Sequence, residues 1–131
     1  MSRIAWMMIA ALLAAPAGAQ SLKELRARQA EEAALAREAA YTSAVCGRTI
    51  ATRIDWSSAR GWPEDESLAA ACDGALGALE AACRAGRRDV REFVCAGDGS
   101  GPTRSGATLR YGAAPQASGF AETKAYLETS Q

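Results

Sequence analysis

Residues 62–86 read WPEDESLAAACDGALGALEAACRAG, and the organisation of the chain turns on how this stretch is taken. Pro63 at a first helical position lacks only an N–H that would be unpaired anyway, and Glu64, Asp65 and Glu66 would meet the positive end of a helix dipole. Gly86 is a natural stop, with Arg87 and Arg88 just beyond it. The spacing therefore predicts a helix from Pro63 to about Ala85. Cys72, Leu76, Leu79 and Cys83 fall on one stripe of it. Gly74, Gly77, Ala78 and Ala81 form a second face, small enough for another backbone to approach closely. The two glycines cost about 2 kcal/mol of helix propensity together, which close packing would offset.

Working towards the N-terminus, Cys46, Ile50 and Ile54 are spaced by four, so Tyr41 to Ile54 reads as a helix kinked at Gly47, with Asp55 to Gly61 as the connection. Ser21 to Ala40 is almost entirely Ala, Glu, Arg and Leu, opened by a Ser21–Glu24 capping box. Leu35 is the one large apolar residue in its second half, so this helix either projects or pairs with something else. Ahead of it stand Arg3, an apolar run from Ile4 to Ala15 and then Pro16-Ala17-Gly18-Ala19, the three-part layout of a cleavable export signal cut after Ala19. The run reaches only ~18 Å as a helix, against ~30 Å of bilayer core, so no stable membrane span is expected after cleavage. The expected organisation is 1–19 leader, 20–40 Ala/Glu/Arg-rich N-terminal helix, projecting or packed, and 41–131 disulfide-bonded helical domain, in a periplasmic or secreted protein.

Towards the C-terminus, Asp89 to Cys95 reads as a short helix capped by Asp89 with Glu92 three residues on. Residues 96–114 carry five glycines and Pro102, with one strand-like piece from Ala107 to Tyr111, before a final helix from about Gly119 to Glu128. The fold class expected is mainly α: a small disulfide-stapled helical domain with a Gly-rich loop and at most one short strand.

Four cysteines in an exported chain read as two disulfides. Cys72 and Cys83 lie ~16 Å apart along one helix, too far to bridge. If the helix ending near Ile54 folds back antiparallel on the next, Cys46 meets Cys72 and Cys83 meets Cys95, and that pairing is expected.

Cutting nineteen residues from 131 leaves 112, with fourteen basic and fifteen acidic side chains and a formal charge of −1. So balanced a chain has no overall electrostatic footprint for nucleic acid or an anionic membrane. Without histidine there is no Ser-His or Cys-His nucleophile, and no C-x-x-C or close cysteine pair supports redox or zinc chemistry. Gly101 to Thr108 has P-loop spacing but Ala107 where the lysine belongs, and the Asp98-Gly-Ser100 start of a calcium loop has Leu109 at its twelfth position. No catalytic residue, metal or cofactor is expected.

The remaining candidates are contact residues. Arg104, Arg110 and Tyr111 on the Gly97–Gly112 loop form the expected contact loop. Trp56 and Trp62 flank a turn and either seal the core or add a recognition patch. Arg87, Arg88 and Arg91 read as complementing a helix end. The function expected is a non-enzymatic binding or accessory protein of the bacterial envelope. The alternatives are a small hydrolase or enzyme subunit using carboxylates such as Asp55 or Asp98, and a self-associating structural or stress protein.

Overall fold

A computed structural model describes residues 15–130, with side chains from residue 21 onward. The leader expected at 1–19 lies outside the described residues, apart from the backbone of 15–19, which already belongs to the first helix. In chain order the elements are α1 (Ala15–Cys46), β1 (Ala51–Asp55), a 3-10 turn (Trp56–Ala59), α2 (Leu68–Arg84), β2 (Glu92–Ala96), β3 (Gly101–Ser105), β4 (Thr108–Gly112) and α3 (Phe120–Thr129). The strands form one mixed sheet in the order β1-β2-β4-β3, with β1, β2 and β4 parallel and β3 antiparallel. The mainly α expectation is thereby corrected: three helices pack on a four-stranded sheet.

Two segments account for the difference. The spacing of four through Cys46, Ile50 and Ile54 is also an even spacing, and the chain uses it as a strand. Helix α1 stops at Cys46, where Gly47 takes φ +68° and the Arg48 N–H reaches the Ser43 carbonyl at 3.2 Å. Thr52 and Ile54, both β-branched, then alternate with Arg53 along β1. The expected helix at Asp89 to Cys95 is instead the central strand β2. Phe93, Val94, Cys95 and Ala96 are all buried, a continuous apolar run in which the alternation that marks a half-exposed strand is lost.

Helix α2 starts later than Pro63 would have it. Residues 62–66 make a turn, with the Glu66 N–H bonded to the Pro63 carbonyl, and Ser67 is the cap. The Ser67 hydroxyl accepts from the Ala70 N–H at 3.1 Å. Glu31 of α1 completes this cap, accepting from the Ser67 hydroxyl and the Ala69 N–H, each at 2.9 Å. At its far end Gly86 takes φ +94°, as the sequence leads one to expect.

Because β1 carries the chain back up between them, α1 and α2 run parallel. The pairs Glu31–Ser67, Thr42–Glu80 and Cys46–Cys83 advance together along both helices. This corrects the disulfide pairing. The bridges are Cys46–Cys83, with Cα atoms 5.0 Å apart, and Cys72–Cys95, at 6.0 Å. Cys46 met Cys72 only on the assumption of an antiparallel hairpin; with parallel helices the two C-terminal ends are neighbours.

The core lies between the helices and one face of the sheet. Leu35 and Ala39 of α1, Leu76 and Leu79 of α2, Leu127 of α3, and Phe93, Leu109 and Tyr111 of the sheet fill it. Leu35 thus places the second half of α1 in the core, while its residues 21–30 are exposed, Leu22 and Leu25 among them. The small face of α2 is used as its composition suggests. A Cβ on Gly74 would sit 1.8 Å from the Ser118 carbonyl oxygen, and Gly77 lies under the Phe120 ring. Among the described residues no helix is long and apolar enough to cross a membrane.

Candidate functional site

The three helices of the described residues contact the sheet and pack with α2 in one layer, and among the described residues no element covers the sheet's other face. Alternation along the strands decides what that face presents. Ile54, Phe93, Cys95, Leu109 and Tyr111 point to the core, so Arg53, Val94, Arg110 and Thr103 point away from it. These four are in register across the sheet: Arg53 opposite Val94, Val94 opposite Arg110, and Arg110 opposite Thr103. The next row is Ala51, Glu92, Thr108 and Ser105. Val94 is 1 % exposed yet stands outside the core cluster. It lies between Arg53 and Arg110 in the cross-strand register.

Charges on this face are paired across strands. Arg53 Nε lies 3.6 Å from Glu92 Oε1, and Thr108 donates to the same oxygen at 3.5 Å. The densest cluster sits where the parallel strands end, the edge at which open α/β sheets commonly bind ligands. There Arg110 donates to Asp98 Oδ2 at 2.8 Å, to the Ser100 hydroxyl at 2.9 Å and to Asp55 Oδ2 at 3.4 Å. Asp98 Oδ1 accepts from the Ser100 N–H at 3.1 Å and its hydroxyl at 2.7 Å, so residues 98–100 form a closed turn. That turn lies so close over β4 that a Cβ on Gly112 would come within 2.2 Å of Asp98 Oδ1. Ser57 donates to Asp55 at 2.6 Å, and Ser58 accepts from the Gly97 N–H at 3.0 Å, tying the 3-10 turn to the end of β2.

The electrostatics follow from these bonds. The Arg110 guanidinium and the Ser100 groups hold the Asp98 carboxyl far below the usual carboxylate range. The Ser57 hydroxyl and then Arg110 lower Asp55. The two carboxylates in turn hold Arg110 firmly protonated, Asp98 contributing most. Both acids are therefore anions near neutrality, already accepting hydrogen bonds. The carboxylates that a hydrolase would draw on do meet here, on one guanidinium. A glycosidase-type acid, however, needs a carboxyl whose pKa is raised. Among the described residues no three His, Cys, Asp or Glu side chains gather as a metal-holding group.

The expected contact loop is a β-hairpin, and its three residues do not converge. Arg110 is on the open face. Tyr111, the next residue, is buried in the core, its hydroxyl pushed up in pKa by burial and by Glu122, and Gly119 packs against its ring. Arg104 lies towards the hairpin tip, paired with Asp89 and donating to the Gly106 carbonyl at 3.0 Å. Gly106 at φ +58° and Ala107 form the two-residue turn between Ser105 and Thr108. That turn explains the P-loop-like spacing without any phosphate.

Trp56 and Trp62 are half-buried against the edge of the core. The Trp56 indole N–H donates to Glu32 at 2.9 Å, with the Arg28 guanidinium 5.2 Å from its ring centre, so it fastens α1 to the sheet edge. The Trp62 indole donates to the Glu66 carbonyl at 2.9 Å. The open-face row of Arg53, Val94 and Thr103 is what sequence reasoning missed. Its signal was alternation in Thr52-Arg53-Ile54 and Thr108-Leu109-Arg110-Tyr111, visible only once both are taken as strands. No family model, curated protein or solved structure matches the chain.

Proposed function

We propose that the chain is an exported, non-enzymatic accessory protein that binds another protein of the envelope through the open face of its sheet. The observation that supports this most is the one-sided packing. Among the described residues the helices cover one face and leave a largely polar, four-stranded face whose side chains stand at strand spacing. Charged and hydroxyl groups at such spacing give hydrogen-bonding specificity without chemistry. Two disulfides fit an oxidising compartment, in keeping with a leader cut after Ala19.

Size bears on the kind of contact. Four strands of five residues cover roughly 19 Å by 17 Å, or about 300 Å², well under the ~800 Å² per partner of a stable complex. The partner therefore also engages the rim at 56–62 and 97–100, or binds transiently. Capture of partners with a tagged chain after mild cross-linking in the intact envelope tests the reading. Paired substitution of Arg53 and Thr103 by glutamate removes the captured protein, whereas glutamate at Arg37, on the helix layer, does not. Equal capture by both variants refutes the sheet face as the binding surface.

The self-association alternative draws on a different observation, the exposure of Leu22 (57 %) and Leu25 (51 %) near the start of α1. Sedimentation equilibrium of the mature chain measures it directly, and a monomer at high micromolar concentration rules it out.

A further inference from the structure

The formal charge of the chain is zero, but the charge is not evenly spread. The parallel strands begin at one end of the molecule, where α1, α2 and α3 all finish. Arg48, Arg84, Arg87, Arg88, Arg91 and Arg104 gather there against Asp89. Glu92 and Glu128, at the same end, are paired with Arg53 and Lys124. The opposite end carries Asp55, Glu64, Asp65, Glu66, Asp98 and Glu122 against Arg60 and Arg110.

Neutralisation of helix ends does not use up this basic charge. Each helix C-terminus is worth about −0.5 charge, so three together are worth about −1.5. Six arginines less Asp89 leave five positive charges facing them. Within this end lies an open cleft of about 380 Å³ lined by Gly86, Arg87, Arg88, Asp89, Arg104 and Ser130. Arg104 is tied to Asp89, whose carboxyl it lowers in pKa, and so stands fixed at the cleft wall. Arg87 donates through Nη2 to the Glu128 carbonyl at 3.2 Å, while its Nη1 is buried with no hydrogen-bond partner among the described residues. The Ser130 hydroxyl is likewise buried and has no partner among the described residues. Arg88 is exposed and makes no ion pair or hydrogen bond among the described residues. Buried polar groups are rarely left unpaired, and each that is calls for an explanation such as a missing ligand.

We infer that this cleft is a binding site for a phosphate- or sulfate-type oxyanion, held by Arg87 and Arg88 with Arg104 fixed behind them and the Ser130 hydroxyl beside them. Guanidinium groups match such anions with paired, charge-assisted hydrogen bonds. The cleft is larger than a lone tetrahedral anion needs, so it accommodates the group to which the oxyanion is attached. The site is separate from the open sheet face and does not depend on it.

The test is titration of the full, oxidised mature chain with inorganic phosphate at low ionic strength, followed by amide NMR shifts. Saturable shifts confined to 86–89, 104–106 and 130 are expected, weakening with added salt. Arg88→Gln, at an exposed side chain with no structural bond, lowers affinity about tenfold or more. Arg37→Gln, which removes an equal charge from the exposed side of α1, leaves it unchanged. A second arm uses vesicles of phosphatidylglycerol in phosphatidylcholine. Co-sedimentation that inorganic phosphate competes away identifies a lipid headgroup as the source of the oxyanion, and phosphate binding without co-sedimentation identifies a free phosphate ester. Scattered or non-saturating shifts, equal loss in both variants, or no response in either arm overturns the site.

Discussion

Replacing Cys46 and Cys83 together by alanine tests the parallel packing of α1 and α2 and has a calculable size. The bridge joins residues 37 apart in sequence, and in the chain-entropy model a loop of that length is worth about 3.8 kcal/mol at 25 °C. That is a large share of the 5–15 kcal/mol typical of a domain. It corresponds to roughly 600-fold in the folded-to-unfolded ratio, and to a Tm lowered by about 15 °C at ~4 °C per kcal/mol. Both cysteines are about 1 % exposed, so lost packing adds to this figure. Urea unfolding of the variant against the oxidised parent measures the loss. The same variant discriminates between pairings. With Cys72–Cys95 intact, thiol titration of the denatured, unreduced variant finds no free thiol. Two free thiols, or an unchanged unfolding midpoint, would rule out the Cys46–Cys83 bridge, because under the Cys46–Cys72 and Cys83–Cys95 pairing the variant orphans both remaining cysteines.

Gly74→Ala forces a Cβ to within 1.8 Å of the Ser118 carbonyl oxygen, so it destabilises by about 2 kcal/mol or more despite the ~1 kcal/mol gained in helix propensity; Gly61→Ala, with nothing within 4 Å, is neutral or slightly stabilising, and thermal melts of the two compare them. Glu38 is raised in pKa by the charge of Asp73, by its hydrogen bond to Asp73, by burial and by Glu80, so its contribution to stability is present below the unfolded carboxyl range and lost as pH rises through its folded value. Glu38→Gln therefore raises the urea midpoint at pH 7, modestly because the group is exposed. Asp98 has the opposite sign: its folded pKa is depressed, so its contribution is present above pH ~4 and is lost as pH falls further, and Asp98→Asn removes that acid-side loss in the same urea series across pH.

What could be read from the sequence divides along physical lines. Helix α2 and its glycine stop, the small face at Gly74, α3 and the strand-like 107–111 are specified by local chemistry, and the chain uses them so. β1 and β2 were not legible, for two distinct reasons. A spacing of four satisfies both a helix and a strand, so Ile50 and Ile54 could not discriminate between them. In β2, burial on both faces erases the alternation that marks a strand, and Phe93-Val94-Cys95 reads equally as a buried helical turn. Ser67 lost to Pro63 as the start of α2 because its cap is completed by Glu31, 36 residues away in sequence. The disulfide error followed from the missed β1, since one strand between two helices turns an antiparallel pair into a parallel one. The open face was hidden for the same reason, and the basic cleft was hidden by an average: a formal charge of zero says nothing about which end holds the arginines.

Site-specific photo-cross-linking in the intact envelope, with the reactive side chain placed at Thr103 on the open face or at Arg37 on the helix layer, reads the binding surface itself. If the open face is the binding surface, Thr103 gives one discrete protein adduct, lost when Arg53 is changed to glutamate, and Arg37 gives none. Adducts from Arg37 alone, or identical adducts from both positions, would contradict it.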